Sequence, residues 1–145
     1  MNATTKTIEV INRLSTVDAP QAAGPYSQGT YHGGILYVSG QLPIDPLTGQ
    51  VASPGDVKAQ THQVIANLSA ILEAAGASLQ NVLKSTVYLR SIEDFPDMNR
   101  VYGSYFDSVL PARSCVAVSA LPNSQALIEI DAVAALGELK SEPDS

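Results

Sequence analysis

Tryptophan is missing from this chain, cysteine occurs once, and histidine occurs twice. A single cysteine excludes an internal disulfide and fits a reducing compartment. His32 and His62 lie far apart with no cysteine pattern around them, so no metal site is expected. Cations are scarce too: eight Lys and Arg against fourteen Asp and Glu give a net charge of −6, and the eight are scattered. Phosphate backbones are gripped by clustered cations, so no nucleic-acid partner is expected. No apolar run approaches the length that spans a bilayer. Met1 to Thr7 shows neither a signal-peptide apolar segment nor an Arg-rich amphipathic pattern. The expectation is a cytoplasmic protein without membrane contact.

What is present is apolar. At 45% hydrophobic and only 15% charged, 145 residues can bury one sizeable core, so residues 1–145 read as a single domain. So few charges on so small a chain hint that a second copy covers part of the surface. Residues 1–6 and 140–145 read as flexible ends.

Periodicity then orders the elements. Thr7 to Leu14 alternates as a strand. Asp18 to Pro25 is turn-rich. Gly33-Gly34 can supply the positive φ angles of a tight hairpin between strands over Gly29–His32 and Ile35–Gly40. Ser53-Pro54-Gly55-Asp56 predicts a helix start with Ser53 as cap. Val57, Val64, Ile65, Leu68, Ile71 and Leu72 then recur at helical spacing up to Gly76. His62 is off that stripe. Val82 to Arg90 alternates, with Leu83, Ser85, Val87 and Leu89 on the apolar face. A second helix opens at Asp94-Phe-Pro96 and buries Met98, Val101, Tyr102, Tyr105 and Phe106, with Asn99 at its margin. Strands over Arg113–Ala120 and Leu127–Ala134, joined through Leu121 to Ala126, complete the order β-β-β-α-β-α-β-β. This is an α+β domain: a mixed sheet with two helices on one face. The other face, carrying Glu129 and Arg113 among apolar groups, is expected to be covered by identical subunits.

Pro111-Ala112-Arg113-Ser114-Cys115-Val116 is the unusual stretch. An arginine inside a half-buried strand needs an anion, and its planar fork suits a carboxylate held by two parallel hydrogen bonds. By composition alone the plainer reading is an ion pair with one of the chain's own acids.

Six segments in order, Gly24-Pro25-Tyr26-Ser27-Gln28, Val38-Ser39-Gly40-Gln41, Ala70 to Gly76, Thr86 to Leu89, Pro111 to Val116 and Ile128 to Ala132, closely resemble the RidA/YjgF family of reactive-intermediate deaminases. The resemblance runs from about Thr7 to Leu136. It implies a chorismate-mutase-like fold and a homotrimer with active sites between subunits. It implies Arg113 as the carboxylate-binding arginine. Tyr26, Ser39, Asn99 and Glu129 would line the cleft, and the backbones of Gly40 and Cys115 would contact the ligand. The implied reaction is hydrolysis of 2-imino acids, released by PLP-dependent dehydratases, to 2-keto acids and ammonia.

The residue types suit that chemistry. An imine carbon beside a carboxylate is electrophilic, so a site needs a carboxylate clamp, a held water and an acid/base group. Arg113 can be the clamp and Glu129 can orient or deprotonate water, while Ser39, Tyr26 and Asn99 can hold substrate or relay protons. No metal or organic cofactor is required. Glu129 can equally form a salt bridge to Arg113 or Lys84, and the sequence leaves both open. Cys115 is a poor nucleophile candidate, since no histidine is placed to activate it. The connections Phe106–Pro111 and Leu121–Leu127 are placed to border the cleft. Alternative functions are a non-enzymatic small-acid sensor or chaperone-like module and, last, an endoribonuclease.

Overall fold

The computed structural model of the chain describes residues 10–137. The expected flexible ends, and the opening residues of the strand expected from Thr7, lie outside that range. The elements are β1 (Asn12–Leu14), β2 (Gly29–His32), β3 (Ile35–Gln41), α1 (Val57–Ala74), β4 (Val82–Leu89), α2 (Phe95–Tyr105), β5 (Ala112–Ala117) and β6 (Ile128–Ala135). Short 3₁₀ turns at Leu79–Asn81 and Ile92–Asp94 lead into β4 and α2. This is the α+β order that the periodicity predicts.

The six strands form one sheet in the order β1-β2-β3-β6-β4-β5. β4 and β5 run parallel, and every other neighbouring pair is antiparallel. The last two strands, consecutive in the chain, are therefore not neighbours in the sheet: β4 lies between them. β3 and β4 are both antiparallel to β6, so they run the same way and α1 must cross between them. That crossover leaves a gap one strand wide, which β6 fills; α2 likewise returns β5 parallel to β4 at the sheet edge.

Both helices pack on one face. Val64, Ile65, Leu68, Ile71 and Leu72 of α1 and Met98 and Tyr102 of α2 bury against Leu36, Val38, Val87, Leu89, Ile128, Ile130 and Ala132. Removing any of these large aliphatic chains to alanine would cost about 2–5 kcal/mol. The start of α1 differs from expectation. Ser53 (φ 48°) and Gly55 (φ 82°) belong to a turn closed by Asp56 N–H to Ser53 O, so the helix begins only beyond it. Asp56 is the cap, its carboxylate accepting the Ala59 N–H at 3.1 Å. At the other end Gly76, at φ 77°, donates to Glu73 O while Ala77 donates to Leu72 O, a Schellman closure.

Two bulges shift the alternation. In β4 the register slips between Val82 and Lys84 against β6. The extra residue, Leu83, is turned outward and is 48% exposed, which corrects its expected place on the buried face. In β3 the register slips between Val38 and Gln41, so Ser39 and Gly40 form the bulge. His62 meets the neighbouring helix, with its Nδ1 2.7 Å from the Tyr105 hydroxyl oxygen. Tyr105 is consequently half-exposed rather than core.

A further correction concerns Arg113. It pairs in register with Ser85, a buried residue bonded to Tyr102 on the helix side, so Arg113 points toward α2. Glu129 pairs with Tyr88 on the opposite, helix-free face. That face also carries Tyr37 (54% exposed) and Val116 (45% exposed), more apolar surface than open water favours.

Candidate functional site

The expected site residues fall into two groups. Tyr26, Ser39, Gly40 and Glu129 surround a cleft of about 480 Å³, together with Ala23, Gly24, Leu42 and Pro122. Asn99 and Arg113 line a separate groove with Tyr102, Gly103, Phe106, Leu110 and Pro111. Cys115 borders neither; its half-buried side chain packs against the core. Both connections expected at the cleft take part, Pro122 in the first and Phe106, Leu110 and Pro111 in the second.

The β3 bulge builds the floor of the first cleft. The Ser39 N–H donates to Gln28 O at 2.9 Å, and its hydroxyl donates to Ser27 O at 2.6 Å. With its proton committed to that carbonyl, Ser39 presents only lone pairs to a ligand. Gly40 follows, and Glu129 lies directly over its Cα. The Glu129 carboxyl is pushed up from the ordinary carboxylate range, first by burial and then by the neighbouring Asp131 charge. Asp131 itself accepts the Tyr88 hydroxyl proton at 2.9 Å. Tyr26, half-exposed, forms one wall, its hydroxyl accepting the Ala23 N–H at 3.1 Å.

In the second groove the Arg113 guanidinium lies 4.8 Å from the centre of the Tyr102 ring and 5.6 Å from that of Phe95. Such stacking holds a guanidinium flat and leaves its edge free for hydrogen bonds. Among the described residues no carboxylate pairs with it. The internal ion pair that composition favoured is therefore not formed, either with Glu129 or with any other described acid. Asn99, exposed on α2, stands at the same groove. The Cys115 thiol is pushed up by burial, with Arg113 pulling the other way, so it stays protonated near neutrality.

Sequence reasoning missed Leu42, Pro122 and the rings beneath Arg113. Nothing in the spacing of Phe95 or Tyr102 separates a platform for a cation from ordinary core, and Tyr102 serves as both. Among the described residues no cluster of three or more His, Cys, Asp or Glu can hold a metal, and no helix is long and apolar enough to cross a membrane.

A family model described as endoribonuclease L-PSP matches residues 16–136. The chain belongs to this family, the YjgF/RidA family. As a Rid-family chain it is 53% identical over 121 residues to a RutC family protein of Pyrococcus horikoshii, covering 83% of this chain and 94% of that one. It is 45% identical over 126 residues to a Bos taurus protein named 2-iminobutanoate/2-iminopropanoate deaminase, covering 87% and 90%. Among solved structures, Escherichia coli TdcF with bound serine superposes at TM-score 0.81 and 39% identity, covering 87% and 99%. The Rid fold thus agrees with the two-helix, six-stranded arrangement described above.

Proposed function

We propose that this Rid chain hydrolyses short 2-imino acids to 2-keto acids and ammonia, at sites that copies of the chain build together in a homotrimer. The observation that carries the proposal is the division of complementary chemistry between two clefts on opposite faces of one sheet. Arg113 has the cation for a carboxylate but no base beside it. Glu129 has the base and a cavity but no cation. Each half supplies what the other lacks, and the exposed Tyr37 and Val116 give a second copy apolar surface to cover. The mammalian relative's name and the serine bound to the bacterial neighbour support a small, carboxylate-bearing ligand.

The reaction follows from the groups. Arg113 grips the substrate carboxylate and Asn99 adds a polar contact. Ser39, able only to accept, takes the hydrogen bond of the protonated imine nitrogen. Glu129 removes a proton from a water as its oxygen bonds to the imine carbon and the carbon–nitrogen π pair moves to nitrogen. The resulting carbinolamine collapses: Glu129 passes its proton to nitrogen, the C–N bond breaks and ammonia leaves, and the hydroxyl gives its own proton to the regenerated Glu129 carboxylate as it becomes the keto oxygen. The backbone of Gly40 is available as a further contact, and Tyr26 bounds the ligand. The chemistry calls on no cofactor, since the substrate carries its own activated carbon. A net charge of −6 with scattered cations disfavours RNA as a substrate, whatever the family description says.

The test generates the imine in place with a serine or threonine dehydratase and follows keto-acid release with and without this protein. Faster release supports the reading. Binding of a keto acid with no change in imine lifetime would favour a sensor instead.

A further inference from the structure

We infer that Gln28 is a positioning residue for the Glu129 cleft, through the loop it holds rather than through any contact with substrate. Gln28 is 4% exposed, yet its amide is not spent inside the core. Its Oε1 accepts the Thr16 N–H at 2.6 Å, and its Nε2 donates to Pro20 O at 2.8 Å, Thr16 O at 3.0 Å and Ala19 O at 3.3 Å. Every one of these partners is main chain of the segment that leads into Ala23, Gly24 and Tyr26, the wall of the cleft.

That segment has no strand partner between Ser15 and Gln28, so its backbone groups depend on local acceptors and donors. One end hangs from the Gln28 amide. The other is tied by the Ala23 N–H to the Tyr26 hydroxyl and by the Tyr26 N–H to Gly24 O at 2.8 Å. The same residue also reaches the floor of the cleft. Gln28 O accepts the Ser39 N–H, and the adjacent Ser27 O accepts the Ser39 hydroxyl. One buried glutamine therefore fixes the wall through its side chain and the bulge through its backbone. Loss of the amide strands several loop groups and lets the wall move away from Glu129.

The inference rests on the imine-hydrolysis reading for its ligand, but its test has an arm that does not. The probes are 2-oxobutanoate binding by calorimetry and amide hydrogen exchange over residues 16–26. The variants are Gln28→Ala and Gln28→Glu; the second keeps the volume but sets an oxygen against three carbonyls. Thr61→Ala, which removes a buried α1 hydroxyl bonded to Val57 O, is the control that breaks a buried side-chain hydrogen bond without touching the loop. Misplacement of a binding wall by about 1 Å can cost 10²-fold, so both Gln28 variants are expected to weaken 2-oxobutanoate by about tenfold or more. They should also speed exchange at Ala23 and Tyr26, with Thr61→Ala doing neither. Unchanged affinity and exchange in the Gln28 variants, or equal losses in Thr61→Ala, would overturn the inference. If the unaltered protein fails to bind 2-oxobutanoate, the functional reading fails and the exchange arm still decides the clamp. Should neither Gln28 variant fold, the Thr16 amide of the unaltered protein decides: slow exchange is expected, and exchange at the rate of an unstructured peptide contradicts the clamp.

Discussion

A methyl group on Gly40 would stand 2.9 Å from Cδ of Glu129 and 3.0 Å from its Oε1. The glycine is there because the carboxyl occupies the place of its side chain. The neighbour is the far end of a flexible side chain, so Gly40→Ala should displace the carboxylate rather than unfold the protein. The expected outcome is a fall of about 10²-fold in kcat/KM for imine hydrolysis, with the melting temperature shifted only a few degrees. Steady-state kinetics beside a thermal melt checks it. Retained activity would show that Glu129 is not the group that handles water.

Arg113 should tolerate no substitute. Lysine keeps the charge but loses the planar fork that stacks on Phe95 and Tyr102. Arg113→Lys is expected to lower kcat/KM by about 10²-fold and Arg113→Ala by more, because a bidentate charge-assisted pair is lost. Since no described carboxylate depends on this guanidinium, both variants should melt close to the unaltered protein.

The pH dependence follows from the raised Glu129 carboxyl. Activity that needs the carboxylate should fall on the acid side at a higher pH than an ordinary glutamate gives, and Asp131→Asn should move that limb down by removing the second cause. Stability runs the opposite way. A carboxyl raised in the folded state holds its proton more tightly there, so its contribution is full at low pH and is lost as pH rises through the folded pKa. Glu129→Gln should therefore raise the melting temperature at about pH 8 and leave it nearly unchanged at about pH 4. A pH–rate profile and melts at the two pH values read both effects.

Cys115→Ala should leave imine hydrolysis within about threefold, because a protonated, half-buried thiol is no nucleophile. Covalent capture of the thiol by substrate, seen by mass spectrometry, would contradict this.

Much of the scaffold was legible because its signals are local. The α1 stripe from Val64 to Leu72 and the Gly33-Gly34 turn are short-range patterns with direct structural causes. What escaped is set by pairing between distant segments. Leu83 looks core-facing by alternation, and only the β4–β6 register turns it outward. The pairing partners of β5 and β6 are likewise not written in their own residues, because the α1 crossover reserves the central slot for β6. Alternation within β5 groups Arg113 with Cys115 without saying which group meets the helices, and Ser85 across the β4–β5 ladder decides that. The site residues were named by resemblance, whereas their separation into two clefts is a property of the folded sheet alone.

Subunit mixing tests the shared site most directly. Arg113→Ala and Glu129→Gln are each expected to be inactive and to assemble normally. Unfolded together in equal amounts and reassembled, random pairing of neighbours gives about a quarter of the sites one intact Arg113 and one intact Glu129. Recovery of about a quarter of the unaltered activity is the predicted result. Mixed assemblies that form, as shown by mass, yet stay as inactive as either parent would contradict a site built across two copies.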